Sequence, residues 1–316
     1  MSAASSPRPK VLMVSPMPEW DLAPMREAYN LVDLPEDDLT NLDPDAEITA
    51  LVTSGGQGAD AALIGALPAL KLIAVYGVGY DKVDLKAAAR RHVAVTNTPD
   101  VLTADVADMA LALTLALVRR ITDGDSLVRS GAWPETAMPL TGSVSGSKIG
   151  IAGLGRIGEA IARRFAGFDT EIGYWNRSPK ASVPWRSFPT PIALAAWADI
   201  LIVALAGGDS THGLIGADAM ATLGRKGFLI NISRGTTVDE AALISALESG
   251  SIGGAGLDVF LNEPTIDPRL FRLDNVVLSP HRGSATVATR KAMGKLVREN
   301  LAAHFAGREL PTPVLD

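Results

Sequence analysis

The sequence predicts an α/β protein that contains a doubly wound parallel sheet of the Rossmann type and a second, smaller parallel sheet. Short apolar segments rich in β-branched and aliphatic residues alternate with helical patterns along the chain. A glycine motif, G-L-G-R-I-G at 153–158, joins one of these strands to a helix. The length of 316 residues suits two domains rather than one.

Composition excludes several classes of protein. The net charge is −6 and both signs are spread along the chain, so no basic patch predicts nucleic-acid binding. The chain has no cysteine, which excludes disulfides, thiolate catalysis and cysteine-ligated zinc. Residues 1–10 lack the apolar core of a secretory signal, and the apolar run 109–118 is too short to span a bilayer. We therefore expect a cytoplasmic protein without a membrane role.

The first hundred residues alternate strand and helix patterns. The predicted strands are 10–15, 48–53, 72–76 and 93–96, and the predicted helices are 59–67 and 85–91. Glycine-rich loops follow two of the strands, one with Ser54 and Gly55 and the other with Val78 and Gly79. Backbone N–H groups in such turns can form an anion nest, so we expect Val78 and Gly79 to bind a substrate carboxylate. Ser54 and Gly55 are expected to contact the substrate as well, because ligands of such sheets bind beyond the carboxyl ends of the strands. Two ordinary βα turns are the alternative.

A long apolar helix is predicted over 101–121, and its apolar residues lie on nearly all faces, which requires burial on several sides. The segment 123–147 is predicted to be irregular, either an arm towards a partner subunit or a plain loop. The alternation then resumes, with a helix over 238–249, a terminal helix over 288–305 and strands at 148–152, 171–175, 199–204, 227–233, 255–259 and 275–278. This number of strands fits a doubly wound nucleotide-binding sheet.

The glycine motif predicts a dinucleotide site. Gly153 allows the tight turn, Gly155 lets the backbone approach a pyrophosphate, and Gly158 lets the helix pack closely on the strand. The phosphates would then lie at a helix N-terminus, where unpaired N–H groups and the helix dipole favour negative charge. A bare glycine motif is weak support, but here a strand precedes it and a helix follows.

The residues after the next strand indicate which dinucleotide binds. An NAD-binding chain usually has an acidic residue there to hold the ribose hydroxyls. This chain has Asn176, Arg177 and Ser178 instead, and a guanidinium with a serine hydroxyl suits a 2′-phosphate. The sequence therefore predicts a preference for NADP(H), with NAD(H) as the second choice. The alternative is that Arg177 is only a solvated loop cation.

Three strand ends supply groups for catalysis, namely Arg234, Glu263 and His281. Reduction of a 2-keto acid needs a cation for the carboxylate and the polarised carbonyl, together with an acid that protonates the developing alkoxide. Arg234 and His281 meet these needs, and a carboxylate at Glu263 would favour the charged imidazole. Each residue alone has a structural alternative, as a surface cation, a turn residue before proline or a capping histidine. No spaced histidine and carboxylate ligands for a metal are apparent, and hydride transfer requires none.

These motifs together resemble the D-isomer-specific 2-hydroxyacid dehydrogenase family, and more narrowly its NADPH-preferring glyoxylate/hydroxypyruvate and hydroxyphenylpyruvate reductase branch. The resemblance rests on segments 77–84, 153–158, 231–235, 256–264 and 279–286 and covers nearly the whole chain. It implies a flavodoxin-like substrate domain formed by residues 1–98 and 288–316, an NADP-binding Rossmann domain over 99–287, and a homodimer built on the Rossmann domain.

The resemblance also implies residue roles. It implies Arg234 for substrate binding and carbonyl polarisation, Glu263 paired with His281, and His281 as the acid/base. It places substrate contacts at Val78 and Gly79, and cofactor contacts at Thr103, Gly153, Leu154, Gly155, Arg156, Ile157, Gly158, Asn176, Arg177, Ser178, Leu205, Ile232, Asp258 and His281. Two departures from the family pattern are Arg282, where an aliphatic or small residue is more usual, and Asp108, where glutamate is frequent.

The sequence therefore predicts NADPH-dependent reduction of glyoxylate or hydroxypyruvate to glycolate or D-glycerate. Hydroxyphenylpyruvate or another 2-keto acid is the alternative substrate. A formate dehydrogenase fits less well, because that similar branch lacks the glutamate–histidine pairing. The alternative of another class is a non-catalytic nucleotide-sensing corepressor, since the same fold with the same three residues also resembles such proteins. Such corepressors sense NAD(H) and usually carry disordered tails, whereas this chain ends at Asp316 without one and has no acidic ribose anchor.

Overall fold

The computed structural model describes residues 8–34 and 47–314. The chain divides into two compact units. Unit 1 contains the described residues up to Leu102 and those from Thr286 onwards, and unit 2 contains Thr103–Ala285. Each unit is built around its own parallel sheet.

Unit 1 has a five-stranded sheet in which every neighbouring pair of strands is parallel. Its order is β2-β1-β3-β4-β5, the order of flavodoxin-like sheets. The strands are β1 (Lys10–Met13), β2 (Asn30–Asp33), β3 (Ile48–Ser54), β4 (Leu72–Tyr76) and β5 (Ala94–Thr96). β4 is buried along its whole length, as a central strand covered on both faces must be.

The helices of unit 1 are α1 (Glu19–Ala28), α2 (Ala61–Ala66), α3 (Leu85–Arg90) and α10 (Val287–Phe305). Asp60 caps α2 by accepting from the Leu63 N–H at 2.8 Å, and Asp84 caps α3 in the same way. α10 packs on β4, where the Tyr76 hydroxyl donates to the Arg290 carbonyl at 3.1 Å. The C-terminal half of the chain thus contributes a helix to the sheet formed by the N-terminal half.

A buried ion pair joins α1 to α10. The Asp21 side chain is fully buried and accepts from the Arg298 guanidinium. The two helices approach so closely at Gly294 that a Cβ atom there would lie 2.1 Å from a carboxylate oxygen of Asp21. Only glycine fits this contact without displacing a buried charge.

Unit 2 has a seven-stranded parallel sheet in the order β12-β11-β10-β9-β6-β7-β8. Its strands are β6 (Lys148–Ala152), β7 (Glu171–Trp175), β8 (Arg186–Ser187), β9 (Ile200–Val203), β10 (Phe228–Asn231), β11 (Gly254–Leu257) and β12 (Val276–Leu278). The order reverses between β6 and β9, and ligands of doubly wound sheets bind at the carboxyl ends of the strands beside such a reversal. The predicted fold class, two parallel α/β sheets of which one is doubly wound, is confirmed.

The helices of unit 2 are α4 (Thr103–Val118), α5 (Ile121–Arg129), α6 (Arg156–Phe165), α7 (Pro191–Trp197), α8 (Ala217–Leu223) and α9 (Glu240–Glu248). α4 buries residues on several sides and packs against α6 and the β10–β12 edge, as its apolar pattern predicts. Aliphatic residues of β9–β11 and of helices α7–α9 form one continuous core. None of the helices in the described part of the chain is long and apolar enough to cross a membrane.

The prediction of an irregular segment over 123–147 is wrong at its start, because α5 covers Ile121–Arg129. Gly124 and several polar residues hide this helix in the sequence. Arg129 bonds Asp125 one turn earlier at 2.8 Å, and Arg120 bonds Asp123 at 2.6 Å, so local ion pairs support the helix. None of the α5 residues is buried within the chain.

We predict that Gly294→Ala lowers the stability of unit 1 by about 1–3 kcal/mol, because the added methyl group pushes α10 away from the Asp21 carboxylate. The matched control is Gly65→Ala in α2, where a Cβ meets nothing within 4 Å. Alanine there should raise stability by about 0.5–1 kcal/mol. Urea unfolding midpoints measure both changes, and an unchanged midpoint for Gly294→Ala would contradict the close approach.

Candidate active site

The glycine turn of unit 2 has the geometry that a phosphate-binding turn requires. Gly153 has φ +99°, and a Cβ there would lie 2.5 Å from the Ala204 carbonyl oxygen. A Cβ at Gly158 would lie 2.1 Å from the Gly153 carbonyl oxygen, so α6 can pack on β6 only with glycine at 158. Gly155 has open space around its Cβ position and caps α6 without a side chain. The turn therefore fits a pyrophosphate at the N-terminus of α6.

Asn176 holds the glycine turn to the end of β7. Its Oδ1 accepts from the Leu154 N–H at 3.3 Å, and its Nδ2 donates to the Ser178 carbonyl at 3.2 Å. Arg177 and Ser178 follow as exposed residues. A guanidinium and a hydroxyl are thus displayed beside the turn, where a dinucleotide bound by the turn would place its adenosine ribose.

The other predicted cofactor residues lie on this part of unit 2. Arg156 and Ile157 open α6, and Thr103 is the first residue of α4. Leu205 follows β9 and Ile232 follows β10, where the Ile232 N–H donates to the Val203 carbonyl at 3.3 Å. Because parallel strands end at one edge of a sheet, the structure brings the ends of β9 and β10 to the edge that carries the glycine turn.

Glu263 and His281 are 18 residues apart in the sequence and form a direct hydrogen bond. The His281 Nδ1 atom lies 2.7 Å from Glu263 Oε2, while Glu263 Oε1 accepts from the Phe260 N–H at 2.9 Å. An ionised carboxylate only accepts, so Nδ1 is the protonated nitrogen and donates. Within the described residues, Nε2 has no hydrogen-bond partner. The imidazole therefore has one nitrogen fixed and the other available to a ligand.

The environment keeps Glu263 ionised. Burial alone would raise the pKa of Glu263, but the hydrogen bond and charge of His281, the Phe260 N–H and the Arg234 guanidinium together hold that pKa below its ordinary value. Because the lowered pKa preserves the carboxylate, the pair stabilises the folded chain above the ordinary carboxyl range. That contribution is lost as pH falls through the lowered pKa.

The loop that carries His281 is fixed by Asp258, a buried carboxylate that is 2% exposed. Oδ1 of Asp258 accepts from the Ser279 hydroxyl at 2.6 Å and from the Arg282 N–H at 2.7 Å, and Oδ2 accepts from the Gly283 N–H at 2.8 Å. These hydrogen bonds hold the chain on both sides of His281. His281 itself has a φ of +52°, which is unusual for a residue with a side chain. Asp258 thus stabilises the backbone that aims the imidazole at Glu263.

Arg234 is positioned by a second polar network after β10. Its carbonyl accepts from Asn231 Nδ2 at 3.0 Å and from the Thr237 hydroxyl at 2.8 Å. Asn231 Oδ1 accepts from the Ser233 hydroxyl at 2.8 Å, which closes the turn. At Gly235 a Cβ would lie 1.9 Å from the Phe260 carbonyl carbon, so this turn packs directly on the segment before Glu263.

In unit 1, the predicted carboxylate loop follows β4. The Val78 carbonyl accepts from Asn97 Nδ2 at 2.9 Å, which orients the peptide between Val78 and Gly79. The described residues offer no acceptor to the N–H groups of Val78 and Gly79. The predicted loop with Ser54 and Gly55 follows the neighbouring strand β3, and the Gly55 nitrogen lies 3.6 Å from the Cβ position of Gly77. The two loops are therefore adjacent at one edge of the sheet.

Sequence reasoning missed the residues that hold these groups in place. Asn97 and Thr237 were not singled out, and Asn231 and Ser233 entered only as members of the segment 231–235. Asp258 was assigned to the cofactor by resemblance, yet both of its oxygens bond the His281 loop. For Asn97 and Asp258 the available signal was their position directly after a strand.

Comparisons with known proteins agree on one family. The family model described as D-isomer specific 2-hydroxyacid dehydrogenase, NAD binding domain, matches residues 111–283. The chain is 46% identical to glyoxylate/hydroxypyruvate reductase A of Arabidopsis thaliana, over 96% of this chain and 98% of that one. It is 50% identical to hydroxyphenylpyruvate reductase of Plectranthus scutellarioides, over 85% of this chain and 86% of that one.

A solved structure of a reductase is similar to this chain over nearly its whole length. The NADPH-dependent glyoxylate/hydroxypyruvate reductase of Sinorhizobium meliloti, in complex with NADP and malonate, superposes with a TM-score of 0.93. The two proteins are 42% identical, and the match covers 97% of each chain. The similarity therefore extends over both units.

We predict that Asp258→Ala loosens the His281 loop, because the Arg282 and Gly283 N–H groups lose their acceptor. The loss of stability should be about 1–3 kcal/mol. Amide hydrogen exchange of the Gly283 N–H measures the effect locally, and urea unfolding measures it globally. Ser279→Ala is the matched control, since it removes one donor and leaves both amides bonded. Equal exchange rates in Asp258→Ala and the wild type would show that Asp258 does not hold the His281 loop.

Proposed function

Because the chain belongs to the D-isomer-specific 2-hydroxyacid dehydrogenase family, we propose that it reduces small 2-keto acids with NADPH. Glyoxylate and hydroxypyruvate are the foremost substrates, and the products are glycolate and D-glycerate. The observation that carries this proposal is the 2.7 Å hydrogen bond between His281 Nδ1 and Glu263, which leaves Nε2 for a substrate. That arrangement suits an acid that protonates an oxygen.

His281 and Arg234 have different roles at the keto group. Bound NADPH supplies the hydride that the keto carbon accepts. His281 donates a proton from Nε2 to the oxygen that develops negative charge, and the Glu263 carboxylate stabilises the imidazolium before the transfer. The Arg234 guanidinium holds the carboxylate of the keto acid and polarises its carbonyl. The oxidative direction uses the same residues, with neutral His281 as the base.

Two sets of backbone amides bind the charged ends of the reactants in this proposal. The N–H groups at the start of α6 hold the cofactor pyrophosphate, and Arg156, Ile157, Thr103, Leu205 and Ile232 line the rest of its site. In unit 1, the N–H groups of Val78 and Gly79 hold the substrate carboxylate, since no described group accepts from them. In this proposal unit 1 is the substrate domain and unit 2 the NADP domain. We also propose that the protein is cytoplasmic.

A larger 2-keto acid is the second candidate substrate. The relative with 50% identity is a hydroxyphenylpyruvate reductase, and an aryl side chain would leave the roles of His281 and Arg234 unchanged. Parallel assays of NADPH oxidation with glyoxylate, hydroxypyruvate, pyruvate and hydroxyphenylpyruvate rank the candidates. Absence of turnover with all four would contradict the reductase and favour a nucleotide-sensing scaffold.

We further propose a homodimer formed through unit 2. Four large apolar side chains of α5 and the segment after it are exposed, by 54% for Ile121, 56% for Val128, 66% for Trp133 and 102% for Leu140. Such a concentration of exposed apolar surface in one segment is typical of an interface. A second copy of the chain would cover it, because identical apolar surfaces are self-complementary in a two-fold dimer.

Replacing His281 with alanine should lower kcat for hydroxypyruvate by about 100- to 10,000-fold, because the proton donor is lost. The dissociation constant for NADPH, measured by fluorescence, should change little. The matched control is His212→Ala, which removes an exposed loop imidazole of unit 2. Wild-type turnover by His281→Ala would eliminate the assignment.

Arg177→Ala tests the choice of cofactor. We expect kcat/KM for NADPH to fall by about 10- to 100-fold, since the 2′-phosphate loses a charge-assisted partner. The value for NADH should change far less, so the NADPH/NADH ratio is the quantity to report. Arg225→Ala, a change of another exposed arginine in unit 2, serves as the control. An unaltered ratio in Arg177→Ala would show that the 2′-phosphate binds elsewhere.

The dimer is tested by sedimentation velocity. The wild type should sediment with the mass of two chains, and Ile121→Glu combined with Val128→Glu should shift it towards the monomer. Phe271 is exposed by 66% in another part of unit 2, so Phe271→Glu is the control that should leave the dimer intact. A monomeric wild type would contradict the proposal.

A further inference from the structure

Three uncharged polar side chains meet at the carboxyl edge of the unit 1 sheet. The Ser15 hydroxyl, just beyond β1, bonds the Ser54 hydroxyl at 3.0 Å and also donates to Gln57 Oε1. The Ser54 N–H donates to the Ser15 oxygen at 2.8 Å. We call Ser15, Ser54 and Gln57 the hydroxyl cluster. Ser15 is 3% exposed, Ser54 is half-buried and Gln57 is exposed, so the cluster runs from the core to the surface.

The hydrogen-bond donors and acceptors of the hydroxyl cluster are not all paired within it. Ser15 has one hydroxyl proton but two acceptors within reach, Ser54 Oγ and Gln57 Oε1. With Gln57 Oε1 turned towards Ser15, the amide nitrogen Nε2 lies at the other end of the side chain. Among the described residues no acceptor bonds that nitrogen. The Gln57 amide nitrogen is therefore available to donate to a ligand, and the hydrogen bond from the buried Ser15 orients the amide group.

The hydroxyl cluster lies beside the proposed carboxylate loop of the same unit. β3 and β4 are adjacent and in parallel register, with Ser54 opposite Tyr76. Val78 and Gly79 begin two residues after Tyr76, and the Gly55 nitrogen lies 3.6 Å from the Cβ position of Gly77. The turn with Ser54 and Gln57 and the loop with Val78 and Gly79 are therefore neighbours at this edge of the sheet.

We propose that the hydroxyl cluster recognises an oxygen substituent on C3 of the substrate, so that Ser54 and Gln57 select hydroxylated 2-keto acids such as hydroxypyruvate. This inference rests on the proposed reductase function and specifies its substrate class. The Gln57 amide donates to the C3 oxygen, and the Ser54 hydroxyl can reorient to accept its proton. Neutral partners of this kind match a hydroxyl group, whereas a second carboxylate on the substrate would call for a cation.

The expected discrimination follows from unsatisfied polar groups. A substrate with hydrogen or an aryl group at C3 displaces water from the hydroxyl cluster without replacing its hydrogen bonds. Pyruvate differs from hydroxypyruvate by that single oxygen, and so isolates the contribution. We expect wild-type kcat/KM to favour hydroxypyruvate over pyruvate by about 10- to 100-fold, the effect of one or two hydrogen bonds.

The test measures this hydroxypyruvate/pyruvate ratio of kcat/KM, with NADPH, in variants of the full chain. Gln57→Leu keeps the size of an exposed side chain and removes its amide, and should lower the ratio by about 10-fold or more. Ser15→Ala frees Gln57 from its anchor and should lower the ratio less. Lys86→Leu replaces another exposed polar residue of unit 1, on α3, and should leave the ratio at its wild-type value.

The outcomes separate this inference from the proposed function. A lower ratio in Gln57→Leu, with the wild-type ratio in Lys86→Leu, supports the hydroxyl cluster as the determinant. Turnover of glyoxylate and pyruvate with a ratio that Gln57→Leu does not alter overturns the inference and leaves the reductase intact. A wild-type ratio near one overturns it as well. No turnover of any 2-keto acid refutes the proposed function, and the inference fails with it.

Discussion

The hydrogen bond between Glu263 and His281 is the interaction on which the rest of the candidate site depends. It fixes the imidazole tautomer and keeps a carboxylate beside the ring, while Asp258 accepts hydrogen bonds from the chain before and after His281. The three residues lie in the loops after β11 and β12, two adjacent strands of one sheet. The His281 imidazole is thereby positioned by a buried carboxylate, Asp258, that bonds its backbone neighbours.

Both units use the same physical device. In each, parallel strands end at one edge, where loop backbones present N–H groups that the sheet does not satisfy. Unit 2 presents them at the glycine turn before α6, and unit 1 presents them at Val78 and Gly79. Polar side chains such as Asn176 and Asn97 hold these loops from behind. Backbone N–H groups in turns of this kind can form anion nests, which is the basis of the proposed binding sites for the cofactor pyrophosphate and the substrate carboxylate.

Most of the fold was readable from the sequence, because buried parallel strands are continuous apolar runs and the glycine spacing marks the first strand of unit 2. α5 was missed because Gly124 and several polar residues weaken its helical pattern in the sequence, and none of its residues is buried within the chain. The candidate catalytic residues were named from strand ends, and their roles stay predictions. The supports supplied by Asp258 and Ser15 were not predictable, since their partners lie 21 to 42 residues away and their meeting depends on strand order and loop path.

The most direct test of the account is a crystal structure of the protein with NADP and a non-reducible keto-acid analogue such as oxamate. His281 Nε2 should lie within hydrogen-bond distance of the oxygen that stands for the keto group, while Nδ1 stays bonded to Glu263. Arg234 should contact the analogue's carboxylate. An imidazole turned away from the analogue, or an analogue bound without contact to Arg234, would show that these residues do not act on the substrate.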